Sequence, residues 1–161
     1  MIKIHETANI SPKSDIEDSI RGSSIEIGAN STIDSFVKFK PAGGKGDIKI
    51  GNRVYINSCC VLYSGNGISI GDNVLISANC TLAPVNHEYT NKSKKISSQG
   101  HASSKGGVKI EDNVWIGSNT VILDGSHICS GTVIAAGSLV RGKCESNRVY
   151  GGNPLREIKK I

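Results

Sequence analysis

Four histidines, five cysteines and a C-terminal group of cations are the residues of this 161-residue chain best equipped for chemistry. His87 lies in the polar stretch Pro84-Val85-Asn86-His87-Glu88-Tyr89. An imidazole titrates near neutrality, with an ordinary pKa of about 6.5, so it can take a proton without being permanently charged. His87 is therefore the candidate general base. His101, after Gln99-Gly100, reads as a solvated loop residue, while His127, between Ser126 and Ile128, and His5 read as structural or exposed. The cations Arg141, Lys143, Arg148, Arg156, Lys159 and Lys160 crowd the C-terminal end, where they suit recognition of phosphate groups. The cysteines are odd in number and form no C-x-x-C pair, so neither a disulfide framework nor a zinc ribbon is expected.

The elements that position these residues follow from a period of six. Ile110, Ile116, Ile122, Ile128, Ile134 and Val140 recur without a miss, and the same step runs through Ile50, Ile56, Leu62 and through Ile70, Ile76, Leu82. Fainter copies are Ile4, Ile10, Ile16 and Ile27, Ile33. A hexapeptide period belongs to parallel β-helices, in which each rung supplies one short strand and one corner and three rungs close a coil of eighteen residues. Two residues before most anchors stands a second apolar or small residue, among them Ile48, Val54, Cys60, Cys80, Thr120, Ser126, Thr132 and Ser138. Positions two apart on a strand share a face, so both sets point into the prism, and Cys60 and Cys80 read as small core residues. After the anchors stand Gly28, Gly51, Gly71, Gly117 and Gly131, suited to corners that need a positive φ or close backbone approach. Ser64-Gly65-Asn66-Gly67 absorbs a slip in the period, and Gly43-Gly44-Lys45-Gly46 lacks the spacing of a phosphate loop and reads as a turn.

One long interruption breaks the repeat. From Pro84 to Gly107 no aliphatic anchor falls at the expected step, yet the period resumes on both sides, so residues 84–107 form a loop extruded from one corner. A structureless insertion of this length is uncommon unless it has a task. Asn153 as cap, Pro154 in the first turn, and Ile158 with Ile161 as an apolar edge predict a short helix over 153–161. Aromatics make up only 4% of the chain, too few for an ordinary sandwich core but sufficient for a solenoid of stacked Ile and Val, and a single domain over 1–161 is expected. No apolar run is long enough to span a membrane, and the start lacks a signal-peptide stretch, so a cytoplasmic protein is expected. The net charge of +5 is scattered over loop and tail without an aromatic stacking set, which argues against nucleic acid.

The rungs, the loop opening with Asn86-His87, the block Val108-Lys109-Ile110 through Val114-Trp115-Ile116-Gly117-Ser118, and the ending Gly151-Gly152-Asn153-Pro154 resemble the hexapeptide-repeat acyltransferases of left-handed β-helix fold. The resemblance covers nearly all of residues 25–160 and is strongest to sugar O-acetyltransferases of the galactoside and maltose type and of the O-antigen and capsule type. It implies an all-β, left-handed parallel β-helix, acetyl-CoA as donor, and a homotrimer with active sites between subunits. It also implies that His87 is the general base. Trp115, one residue before an anchor, points outward and is either a wall for acceptor or thioester or a trimer-packing residue. Asn57 matches the asparagine with which galactoside-type enzymes hold the acceptor, and is otherwise a corner residue; their second acceptor contact, an aspartate, is Gly65 here. Donor contacts fall by resemblance at Ser118, Ala136, Arg141 and Arg156, with Arg141-Gly142 standing where relatives carry Thr-Lys and Lys143 one place later.

Acetyl transfer to a sugar hydroxyl needs a base for the hydroxyl proton, donors for the oxyanion and a groove for a phosphorylated donor. The chain is thus expected to be an acetyl-CoA-dependent O-acetyltransferase of a sugar or oligosaccharide, in surface-polysaccharide synthesis. No cysteine or serine pairs with His87 in sequence, which favours direct attack over an acyl-enzyme. The alternatives are N-acetylation of a nucleotide-linked amino sugar and a non-catalytic β-helix scaffold. A γ-type carbonic anhydrase would need three zinc-binding histidines, and His101 and His127 do not follow that spacing, so no metal is expected.

Overall fold

The alternation of inward and outward residues leaves each six-residue rung one way to bury its apolar set, against the rungs of the coils before and after it. A computed structural model describing residues 1–161 has that arrangement: a left-handed parallel β-helix with three faces. The first face stacks Ile2–Ile4, Ile25–Ile27, Ile48–Ile50, Ile68–Ile70, Val108–Ile110, Ser126–Ile128 and Lys143–Cys144. The second stacks Asn9–Ile10, Thr32–Ile33, Tyr55–Ile56, Leu75–Ile76, Trp115–Ile116, Val133–Ile134, Arg148–Gly151 and Arg156–Lys160. The third stacks Asp15–Ile16, Lys38–Lys40, Val61–Tyr63, Thr81–Ala83, Val121–Leu123 and Leu139–Val140.

Every inward position of the repeat is buried where coils lie on both sides. Ile56, Cys60, Leu62, Cys80, Ile116 and Ile134 are 0% exposed, and they belong to one cluster of 26 buried residues. Full burial of each aliphatic contributes roughly 1.5–3 kcal/mol, so the stacked axis supplies most of the driving force without large rings. The outermost coil is thinner: Ile2, Ile10 and Ile16 are only partly buried against the cluster. The buried hydroxyls are bonded to backbone; Thr120 Oγ1 donates to Gly117 O at 2.7 Å and Ser126 Oγ to Val140 O at 3.1 Å.

The corner glycines divide by cause. Gly51 and Gly71 are required by close approach, because a Cβ on Gly51 would lie 2.5 Å from Asp72 Oδ1, and one on Gly71 would lie 2.1 Å from Asp112 Oδ1. Those side chains reach back one coil to accept backbone amides: Asn52 N donates to Asp72 Oδ1 at 2.7 Å and Asp72 N to Asp112 Oδ1 at 2.8 Å. Among non-glycine residues, positive φ falls mainly on asparagines further along each corner, among them Asn30, Asn73, Asn79, Asn113 and Asn119, and asparagine visits that region more readily than most residues; of the corner glycines expected to need it, Gly131 has a φ of 72°.

The predicted helix over 153–161 does not form. Gly151-Gly152-Asn153-Pro154 reverses the chain, and Arg156–Lys160 returns as an antiparallel strand on Arg148–Gly151. Its backbone pairs the otherwise open edge of the second face, Arg148 bonds Glu157 at 2.8 Å, and Ile158 lies over the bare Cα of Gly151. An edge strand satisfies those main-chain groups, which a helix with one apolar edge would leave unpaired. The only helical segment is a 3-10 turn at Ile96–Ser98, and no helix is long and apolar enough to cross a membrane.

Candidate active site

The extruded loop is the largest of three expansions stacked at one corner, between the third and first faces. Beneath it lie residues 41–46 and 64–67, so close that a Cβ on Gly44 would meet Gly65 O at 2.1 Å and one on Gly107 would meet Gly67 O at 2.5 Å. The loop ends pair with each other: Ala102 N donates to Asn86 O at 2.8 Å and Glu88 N to Gly100 O at 3.0 Å. This short antiparallel bridge sets His101 against His87, with ring centroids 5.0 Å apart. Further out, the Gln99 amide nitrogen donates to Asn91 O and Lys94 O, at 3.0 and 3.1 Å, while its oxygen accepts Asn91 N at 3.1 Å. The insertion is therefore folded, and its two ends are held together.

Asp124 fastens the base of the loop. It is 6% exposed, and its carboxylate accepts Lys105 N at 2.8 Å, Gly107 N at 2.9 Å and Asn66 Nδ2 at 3.1 Å. Above it opens a cleft of about 490 Å³ whose lining includes His87, Tyr89, Lys105, Leu123, Asp124 and Arg141. Beside His87, the Glu88 carboxyl accepts Thr90 N and Tyr89 N at 2.8 Å and Thr90 Oγ1 at 2.7 Å. These bonds, the Thr90 amide foremost, hold it below the usual carboxylate range and keep it anionic. The cleft thus offers an imidazole, two cations and an apolar wall.

The remaining candidates lie elsewhere on the chain. Trp115 stands outward on the second face, 51% exposed, with its indole N–H on Ser77 Oγ at 3.2 Å. Asn57 occupies the corner after that face and accepts Ser58 N at 2.7 Å through Oδ1. Ser118 and Ala136 stack at the same corner, joined by Gly137 N to Ser118 O at 2.8 Å, and Arg156 pairs with Gly151 at the end of the second face. None of these five lines the cleft around His87. Within one chain the structure joins His87 with Arg141, and keeps Asn57, Trp115, Ser118, Ala136 and Arg156 on the second face and its corner.

The cleft residues Glu88, Tyr89, Lys105 and Asp124 are not singled out by the sequence alone. Asp124 had a legible signal, an acid two residues after the anchor Ile122 and so in phase with the inward positions; Ser64 and Pro84 hold the equivalent place in lower coils and are also buried.

Comparison with known proteins matches these features to hexapeptide-repeat proteins. The family described as bacterial transferase hexapeptide (six repeats) matches residues 107–142, and the hexapeptide repeat of succinyl-transferase matches residues 47–84. Galactoside O-acetyltransferase of Lactococcus lactis is 30% identical over 161 residues, covering 99% of this chain and 73% of that protein. The chain belongs to the hexapeptide-repeat acyltransferases. Its likeness to galactoside O-acetyltransferase of Escherichia coli is 34% identity over 139 residues, covering 84% of this chain and 63% of the longer relative, so that relative carries sequence this chain does not match. Among solved structures, a hexapeptide-repeat acetyltransferase of Vibrio cholerae in complex with acetyl coenzyme A superposes with a TM-score of 0.70 at 27% identity, covering 84% of this chain and 70% of that one. For a member of this acyltransferase family, the cleft around His87 is the candidate place for the acceptor nucleophile, and the corner of Ser118 and Ala136 is a candidate wall for the donor.

Proposed function

We propose that this chain is an O-acetyltransferase that moves an acetyl group from acetyl-CoA to a hydroxyl of a sugar or oligosaccharide in surface-polysaccharide synthesis. The observation that carries the reading is the position of His87 at a cleft that also holds Lys105, Tyr89 and Arg141. Likeness to galactoside O-acetyltransferases and to a structure bound to acetyl coenzyme A supports the choice of acceptor and donor.

In the reaction His87 accepts the hydroxyl proton as the oxygen attacks the thioester carbonyl. The tetrahedral intermediate then collapses, the C–S bond breaks, and the imidazolium returns the proton to the leaving thiolate, giving the acetyl ester and CoA. Arg141 and Lys105 supply positive charge for anionic groups of donor or acceptor. Glu88 adds a carboxylate to the lining of the cleft.

The separation of His87 and Arg141 from Asn57, Trp115, Ser118, Ala136 and Arg156 supports a homotrimer in which each site forms between two copies. A loop on one copy would face the second-face corner of its neighbour. Outward on that face Tyr55, Leu75, Trp115 and Val133 align in register as an apolar column, with Tyr55 39%, Leu75 52% and Trp115 51% exposed. Such a column gains by being covered. A cytoplasmic location agrees with the donor.

The test is thiol release from acetyl-CoA by purified protein across sugars, nucleotide sugars, amino sugars and oligosaccharides. Release that depends on a hydroxyl acceptor supports the proposal. Release only with an amine acceptor would replace it with N-acetylation, and absence of donor binding would move the protein to a scaffold role.

A further inference from the structure

At the far end of two first-face strands whose starts flank the cleft, a second cluster of reactive groups gathers. Gly107 and Gly125 precede Val108–Ile110 and Ser126–Ile128, and Glu111 and Cys129 follow them. The register of Ile110 with Ile128 sets Glu111 beside Cys129, and that of Lys109 with His127 points the imidazole outward on the same face. His127 Nε2 lies 2.7 Å from Glu111 Oε1 and 3.9 Å from Cys129 Sγ, and one donor atom from each residue falls within 4.8 Å of the others.

We propose that Glu111, His127 and Cys129 form a binding site for a borderline divalent cation of the zinc and cobalt class, separate from the acyl-transfer cleft. Thiolate, imidazole and carboxylate together suit zinc or cobalt, whereas magnesium and calcium prefer oxygen alone. With metal–ligand distances of about 2.0–2.3 Å, a tetrahedral ion separates oxygen from nitrogen by about 3.4 Å and nitrogen from sulfur by about 3.6 Å. The Glu111–His127 pair would open slightly and the Cys129–His127 pair would close slightly, while the Glu111 oxygen and the Cys129 sulfur, which lie within 4.8 Å, would settle at about 3.5 Å. Ser130 already orients the carboxylate, donating to Glu111 Oε2 from its backbone N at 3.1 Å and its hydroxyl at 3.2 Å, as outer hydrogen bonds do around metal ligands.

The burial pattern fits three protein ligands and one open position. Cys129 is 6% exposed, while the His127 and Glu111 side chains are 34% and 29% exposed, so a fourth ligand reaches the ion from solvent. On binding, the thiol releases its proton to solvent and the sulfur bonds as thiolate. Two cations face the site. Lys109 Nζ sits 3.3 Å from Glu111 Oε1 and must swing away, whereas Lys143 is held by Glu145 at 3.1 Å. The ion would tie one coil to the next, since Glu111 belongs to the coil below His127 and Cys129.

The test uses the full chain after treatment with a chelator, titrated with cobalt(II) and followed by absorption. One equivalent per chain, with intense tetrahedral bands and a thiolate charge-transfer band that zinc abolishes, is the expected result. Cys129→Ser should remove the charge-transfer band, His127→Gln should remove the tetrahedral bands, and Lys109→Met should tighten cobalt binding roughly fivefold by removing a nearby positive charge. Thermal midpoints without metal establish that each variant is folded. Absence of the bands in the folded wild-type protein, a charge-transfer band that survives in Cys129→Ser, or tetrahedral bands that survive in folded His127→Gln and so arise from histidines such as the His87–His101 pair, would overturn the proposal.

Discussion

Asp124 accepts the backbone amide of Lys105 at 2.8 Å, and this contact ties the exit of the extruded loop to the coil above it. With Gly107 and Asn66 bonded to the same carboxylate, one buried side chain joins three coils at the corner from which His87 projects. The geometry of the cleft therefore depends on a residue that need not touch a reacting atom.

Replacing Asp124 by Ala removes these bonds and leaves amides buried without partners. Hydrogen bonds to charged groups contribute about 1.5–3 kcal/mol each and do not add fully, so a loss of about 2–4 kcal/mol is expected in denaturant unfolding. Hydrogen exchange over 86–107 should accelerate more than exchange in the coils. A change below about 0.5 kcal/mol, the range of surface substitutions, would contradict the role.

Asp72 gives a pH dependence whose sign is fixed. The Asn52 amide is the largest of the influences that hold its carboxyl below the ordinary 3.8. A folded value below the unfolded one contributes stability that is present above about pH 4 and is lost as pH falls through the folded value. The unfolding midpoint of the wild type should therefore exceed that of Asp72→Asn at pH 7, with a gap that holds to about pH 5 and shrinks below pH 4. A gap that widens on acidification would contradict this.

How much of this was legible beforehand follows from what each feature rests on. The β-helix, its inward positions and the loop at 84–107 could be read because burial strictly follows a period of six, as Ile110 through Val140 display. Cys60 and Cys80 fell in phase and are buried as expected. In the C-terminal segment Asn153, Pro154 and Ile158 carry local helix signals, whereas its strand is determined by pairing with the open edge of Arg148–Gly151. His101 beside His87 had no local signal, since a folded loop brings them together. Glu111 beside Cys129 was implicit in the coil of eighteen residues, which stacks each position on the one eighteen further along.

The proposed sharing of a site between copies makes a prediction for mixed assemblies. Trp115 is half exposed, so Trp115→Ala should fold normally while transfer falls about tenfold, the cost of losing one aromatic contact of moderate energy. His87→Ala and Trp115→Ala chains, co-expressed in equal amounts, should then recover about a quarter of wild-type activity, because half the loops meet half the tryptophans intact. Activity equal to the average of the two variants alone would place both residues in a site within one chain.

The central claim is that His87 takes the acceptor proton, and the direct measurement is steady-state transfer by His87→Ala beside donor binding by calorimetry. The account predicts a fall in kcat of about 10²–10⁴-fold, the usual contribution of a general base, with acetyl-CoA affinity and the unfolding midpoint unchanged. Turnover retained within a few-fold of wild type in a folded His87→Ala protein would contradict it.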